Sequence, residues 1–251
     1  MTPQALYDAL AFPTSCALGK RVFKKLFVES GALTAGDKRA LSESALTITW
    51  QYTLKPTTIA VSAYRTEEYE YDEIAVIEMA LANRRADSRL AEVVHRTIPY
   101  PVLLILADDD GLQLSAAPKR LSQSEQNQVV TAYLVSTSWL DGQIRTAIED
   151  DFIDSLQLSK LPQSHFKALY DGWVQRIVAL DCAELSGTFD IAPDRGSADR
   201  RAALNACRAT EREARSLRAR LRAEPNFARQ LELNTQLKRL ETHLRTQIAA
   251  L

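Results

Sequence analysis

Between residues 45 and 116 the hydrophobic period of the chain shortens, and this limits the folds open to it. "LTITWQY", "TIAVSAY" and "EIAVIEMAL" are short β-branched or alternating runs, separated by "TLKP" and by the acidic, tyrosine-rich "RTEEYEYD". They read as three strands. "RRADSRLAEVVHRTI" then sets Ala86, Leu90, Val93, Val94 and Thr97 at helical spacing. "PYPVLLILADDDGLQLSAAPK" reads as a buried strand, a turn at Asp109–Asp110–Gly111 and a second, alternating strand. "NQVVTAYLVST" gives one more strand, and "PQSHFKALYDGWVQRIVAL" an amphipathic helix. Upstream, the chain reads helical to about residue 45. "GKRVFKKLFVESG" places Val22, Leu26 and Phe27 near one face, with Gly31 as a helix stop, and "LTAGDKRALSESA" forms a second helix. Helices, three strands, a helix, three more strands and a helix predict an α/β domain with a mixed sheet and helices on at least one face.

The last fifth of the chain differs in kind. Residues 195–251 carry 13 Lys and Arg against 6 Asp and Glu, whereas residues 1–194 carry 18 basic against 26 acidic residues. A shift of that size marks a boundary near "DIAPDRGSADRR" and predicts an α/β domain over 1–185, a linker over 186–198 and a helical arm over 199–251. Within the arm, two helical segments flank "EPN", where Pro225 removes a backbone donor and clashes one turn back. Leu237, Leu240, Leu244 and Leu251 mark an apolar seam, which predicts a coiled-coil-like hairpin, with one long kinked helix as the alternative. Such a seam is buried only against the second helix or a partner, so these four leucines are candidate partner-binding residues.

Residues 198–222 hold eight arginines against three acids. Guanidinium forks match phosphate oxygens and carboxylates alike, which makes Arg208, Arg212, Arg215, Arg218 and Arg222 candidates for contact with nucleic acid or an acidic partner. The competing readings are a solvated face and docking onto the chain's own acidic body. Phe227 is the only aromatic residue beyond position 189, which argues against base stacking on single strands.

Other chemistry is poorly represented. Apolar residues make up 46% of the chain and charged residues 25%, the profile of a folded globular protein. No apolar run reaches the roughly 18 residues of a membrane span, and the first residues lack the basic and apolar regions of a signal peptide. Cys16, Cys182 and Cys207 form no paired motif, which predicts a reducing, cytoplasmic setting. His95, His165 and His243 show no ligand spacing, and "DDDG" at 108–111 lacks the alternation of a calcium loop and reads as a turn. "ALGKR" lacks the first glycine and the Ser or Thr of a phosphate loop. No metal or cofactor site is expected.

Several phrases together resemble a family of bacterial proteins, the domain-of-unknown-function family 4391: "GKRVFKKLF", "EIAVIEMAL", "IPYPVLLIL", "STSWL" and "EPNFARQLELNTQLKRLETHL". The resemblance covers nearly the whole chain. It implies a place beside helicases and DNA methyltransferases in restriction or phage-defence loci.

The order of elements is also that of the restriction-endonuclease-like core. That core needs an acid on its second strand and an acid and lysine on its third, where carboxylates hold Mg²⁺ and the metal activates water. Family relatives are similar in carrying a phrase like E-x-E-L-K on the third strand. Here it becomes Glu78, Met79, Ala80, Leu81 and Ala82, keeping the first acid and losing the second acid and the lysine. The expected second strand, "TTIAVSA", has no acid. A lone carboxylate is a poor Mg²⁺ site, so Glu78 is a weak catalytic candidate, expected instead to pair with a buried arginine or with backbone amides. Arg84 and Arg85 could supply that pairing, face a phosphate, or be solvated at the start of the helix.

The resulting expectation is a non-catalytic accessory subunit of a phage-defence or restriction-type complex, docking a helicase or DNA methyltransferase. The alternatives are a divergent Mg²⁺-dependent nuclease and a DNA-binding factor that uses the basic arm.

Overall fold

The computed structural model describes residues 1–30, 33–122, 128–191 and 196–251. The expected helix stop at Gly31 and the start of the expected strand at Asn127 lie outside the described residues, as does the part of the linker at 192–195. The chain divides into two compact units, Met1–Ile177 and Val178–Leu251. The division falls before residue 185, inside a helix.

In the first unit the elements run, in order, α1 (Pro3–Leu10), β1 (Ala17–Arg21), α2 (Lys24–Glu29), α3 (Ala35–Glu43), β2 (Ala45–Leu54), β3 (Tyr64–Arg65), β4 (Glu70–Tyr71), β5 (Ile74–Leu81) and α4 (Asp87–Thr97). They continue with β6 (Val102–Asp108), β7 (Gly111–Ala116), β8 (Lys119–Leu121), β9 (Val129–Thr131), β10 (Val135–Ser136), β11 (Leu140–Asp141), α5 (Ala147–Ser155) and α6 (Phe166–Ser186). The main sheet has seven strands in the order β1-β2-β5-β6-β7-β10, with β11 also on β7. β5 and β6 are parallel and joined through α4; every other neighbouring pair is antiparallel. The architecture is thus the expected α/β class, a mixed sheet with flanking helices, and the central strands keep the expected order of elements.

Three expected elements are placed differently. "GKRVFKKLFVESG" is not one helix: its first residues belong to β1, and only Lys24–Glu29 is helical. β1 is an edge strand with all five residues exposed, so no apolar alternation announces it. Gly19, at φ 62°, sits where its pairing with β2 slips by one position, a conformation that glycine adopts without strain. "TIAVSAY" is not a sheet strand. Thr58 and Ile59 donate back to Lys55 O, closing a turn after β2; Ser62 makes an isolated bridge to His165, and Tyr64–Arg65 pairs with Glu70–Tyr71. The three antiparallel strands before α4 are therefore β1, β2 and β5, and the middle one is β2. "NQVVTAYLVST" is split between β9, which pairs with β8, and β10, which pairs with β7.

The remaining elements follow local rules. α3 begins with a reciprocal capping box between Thr34 and Asp37, which answers two otherwise orphaned amides. α4 buries Leu90, Ala91, Val93 and Val94; Leu90, Val93 and Val94 belong to the expected stripe, whose ends at Ala86 and Thr97 are half-buried. With Phe27, Leu41 and Ile48 the four buried apolar residues pack on Ala75, Ile77, Met79 and Leu81 of β5 and on Val102, Leu104 and Leu106 of β6. The other face of the sheet meets α1 and α6, where Tyr170 Oη donates to Val102 O and accepts from Ala117 N. Apart from Glu78 in β5 and Asp108 at the end of β6, the two strands are apolar on both faces, as parallel strands between two helical layers are expected to be.

The second unit begins in the last turns of α6 and contains α7 (Ser197–Ala223) and α8 (Phe227–Ile248). Pro225 stands in the break between them, and the Asn226 side chain caps α8 by accepting from Arg229 N. The arm is a helical pair rather than one kinked helix. Ala214 and Leu217 pack against Leu233 and Leu237, flanked by Leu221 and Leu240. Arg218 bridges to Glu241 across the pair at 2.7 Å.

Leu237 is 7% exposed, so a Leu237→Asp variant sets an unpaired carboxylate in this small core. The expected cost is about 3 kcal/mol or more, read as a loss of helical circular dichroism and a lower urea midpoint than in Leu231→Asp, which alters an exposed leucine of the same helix.

Candidate functional site

Glu78 is the polar residue at the centre of β5, opposite Thr49 on β2 and Ile105 on β6. Strand alternation sends Ile77 and Met79 to the α4 face and Glu78 to the α1 face. There Glu78 Oε2 accepts from Tyr7 Oη at 2.5 Å and from Gln51 Nε2 at 3.1 Å.

Both donors have a structural reason to be present. α1 is started by the Thr2 cap and a proline in its first turn, and it buries Leu6, Tyr7 and Leu10 along one face. Gln51 is the extra residue of a bulge: Trp50 opposes Ile77 and Tyr52 opposes Val76, which leaves Gln51 unmatched. A bulge turns successive side chains toward one face, so Gln51 reaches Glu78 while Tyr52 packs at a tilt against Tyr7, with ring centroids 5.2 Å apart. Trp50 Nε1 spans the bulge by donating to Tyr52 O. Phe12 packs on Tyr52 at 4.9 Å and on Trp173 at 6.0 Å, closing the aromatic side. Burial, and then the bond to Glu78, push the Tyr7 phenol well above its ordinary range. It remains a neutral donor at any physiological pH.

Among the described residues Glu78 is therefore held by a phenol and a carboxamide, and not by the buried arginine or backbone amides expected for it. The middle strand, β2, carries no acid at all. Arg84 is committed elsewhere. Its Nε and Nη2 form a fork on Asp108 at 2.6 and 2.7 Å, and its guanidinium lies 4.0 Å over the Trp139 ring. Asp108 also accepts from the amides of Asp110 and Gly111, which makes "DDDG" the expected hairpin turn. Trp139 Nε1 donates to Asp87 Oδ2. Arg85 is exposed.

A second polar cluster was not readable from the sequence. His95 is 1% exposed, and its Nε2 lies 3.1 Å from Ser115 Oγ. Ser115 gives its own hydrogen to Val135 O, so Nε2 is the donor and Nδ1 an unanswered acceptor. Burial first, and then the charge of Lys119, push the imidazole down to about 3. Lys119, equally buried, donates to His95 O and to Thr131 Oγ1; it caps the last turn of α4, where a cation is favoured. Burial pulls its ammonium down to about 8. His165 caps the start of α6 by accepting from Ala168 N, and His243 is exposed.

In the arm, the candidate residues divide. Leu237 and Leu240 close the α7–α8 pair, so the surface they would offer a partner is already used. Leu244 and Leu251 are half-buried. Arg208 pairs with Asp181 at 3.3 Å and Arg218 with Glu241, whereas Arg212, Arg215 and Arg222 are exposed. Burial raises Asp181 to about 6 against the opposing pull of Arg208. Among the described residues, no group of three His, Cys, Asp or Glu side chains is placed to hold a metal ion, and no helix is long and apolar enough to cross a membrane.

The family model described as Domain of unknown function (DUF4391) matches residues 10–244, and the chain belongs to that family. No curated protein and no solved structure matches the chain.

Two stability measurements test this geometry. Tyr7→Phe removes a hydrogen bond to Glu78 and is expected to cost about 1–3 kcal/mol in urea unfolding. Adding Glu78→Leu and Gln51→Leu regains most of that loss, because the acceptor and both of its donors are then gone. His95 titrates near its ordinary 6.5 when unfolded and near 3 when folded, so between those values the unfolded chain binds the extra proton. Stability is lost as pH falls through that window, by roughly 3 kcal/mol at pH 4.5 from this group alone. His95→Asn should flatten that part of the pH profile.

Proposed function

We propose that this DUF4391 protein is a non-catalytic accessory subunit, an α/β scaffold with a basic helical arm that docks a helicase or DNA methyltransferase of a bacterial phage-defence or restriction-type complex. The observation that carries the reading is the state of Glu78. Its carboxylate sits where a nuclease of this strand order would hold metal, and it is engaged by Tyr7 and Gln51 beside an aromatic cluster. A Mg²⁺ site needs several hard oxygen ligands. Here Tyr7 and Gln51 face the same oxygen from the helix and strand that would have to supply them, and Ala80, the next β5 residue on that face, has no ligand atom. The choice of partner rests on the family resemblance. The partly buried Leu244 and Leu251 remain the arm's apolar contact candidates.

One observation favours a second reading, a DNA-binding factor. Arg212, Arg215 and Arg222 project to solvent from α7, and each phosphate that such residues neutralise makes binding more salt-dependent.

Affinity purification of the full-length protein from its native host, followed by cleavage assays with Mg²⁺ and Mn²⁺, tests both readings and the nuclease alternative. The accessory reading predicts a co-purified helicase or methyltransferase and no cleavage that depends on Glu78. Cleavage abolished by Glu78→Gln would contradict it. Salt-sensitive DNA binding by the isolated protein, lost on replacing the three exposed arginines with glutamine, would favour the second reading.

A further inference from the structure

Arg200, in the first turn of α7, is 6% exposed. Guanidinium groups are rarely buried without a carboxylate, because removing a charge from water is costly unless an opposite charge answers it. The partners that the fold gives Arg200 are neutral. Nη1 donates to Asp190 O at 2.6 Å, Nε is buried without an acceptor, and the other neighbour is the Cys182 thiol, which burial keeps protonated. Arg200 lines a cavity of about 510 Å³ together with Arg245 from the last turn of α8. Neither arginine comes within ion-pair distance, 4.0 Å, of a carboxylate among the described residues. Ser186 and Thr188 add hydroxyls to the wall, Asp190 is its one acidic side chain among the described residues, and the last residue, Leu251, also lines it.

We infer that this cavity of the C-terminal unit is a binding site for a phosphate group, held between the Arg200 and Arg245 guanidiniums. Two forks carried on different helices suit a tetrahedral anion with several acceptor oxygens. The buried fork supplies a fixed, desolvated charge, and the exposed one closes over the bound group. The cavity's size lies within the range of small-ligand sites. This site is separate from the exposed Arg212, Arg215 and Arg222, and the inference does not rest on the accessory reading. The phosphate could be a free anion or the 5′-terminal phosphate of a nucleic acid.

Isothermal titration of the full-length protein with inorganic phosphate, at constant ionic strength set by chloride, measures the first source. Fluorescence anisotropy with an oligonucleotide bearing or lacking a 5′-phosphate measures the second. The expected result is saturable binding in at least one arm, weakened roughly tenfold or more by Arg245→Gln. Arg200→Lys, which keeps the charge and loses the fork, should weaken the same arm; if that variant does not fold, Arg245→Gln carries the test. The inference is overturned if neither phosphate nor the 5′-phosphate is bound above the chloride and unphosphorylated controls. It is equally overturned if binding is unchanged in Arg245→Gln.

Discussion

A carboxylate in the middle of a two-sided buried strand must be answered by donors, and in this protein they are the Tyr7 phenol and the Gln51 carboxamide. Much of the first unit is organised around meeting that requirement. α1 lies against the sheet with Tyr7 inward, the β2 bulge directs Gln51 to the same oxygen, and Tyr52 and Phe12 extend the aromatic wall to Trp173. A hydrogen bond to an ionised group is worth more than one between neutral groups, and leaving it unmade costs more still. The same acid that would be reactive in a hydrated cleft thus acts here as a tie between an N-terminal helix and two strands.

The other ionic groups of the first unit follow the same logic at smaller scale. Arg84 ties the end of β5 to the β6–β7 turn through Asp108 and covers Trp139. Asp37, buried at the start of α3, receives Arg89 and Arg96 from α4. Each pair joins elements that are distant in sequence, and each takes up a charge that surface chemistry would otherwise use. In the arm, Arg208 and Arg218 are paired with carboxylates, Arg208 with the largely buried Asp181 and the exposed Arg218 with Glu241.

What could be read from the sequence was what depends on local order. The α4 stripe, the Asp109–Asp110 turn and the break at Pro225 follow from spacing and turn chemistry within a few residues. β1 could not be read, because an exposed edge strand with Lys20 and Arg21 has no hydrophobic alternation to display. "TIAVSAY" misled for the opposite reason. Its β-branched residues suit a strand, yet a turn closed on Lys55 keeps it out of the main sheet. Glu78 stood out as a charge in an apolar run, but its partners lie 71 and 27 residues away, and one is delivered by a bulge that no residue pattern announces. The buried Lys119 and His95 were hidden similarly, since each looks like an ordinary surface residue until the strands close over it.

The central claim, that Glu78 ties the fold together and does not hold metal, is tested most directly by titrating Mn²⁺ into the full-length protein and into Glu78→Gln while following water-proton relaxation. The account predicts the same weak, non-saturating response in both proteins. Saturable Mn²⁺ binding in the wild-type chain that disappears in Glu78→Gln would contradict it.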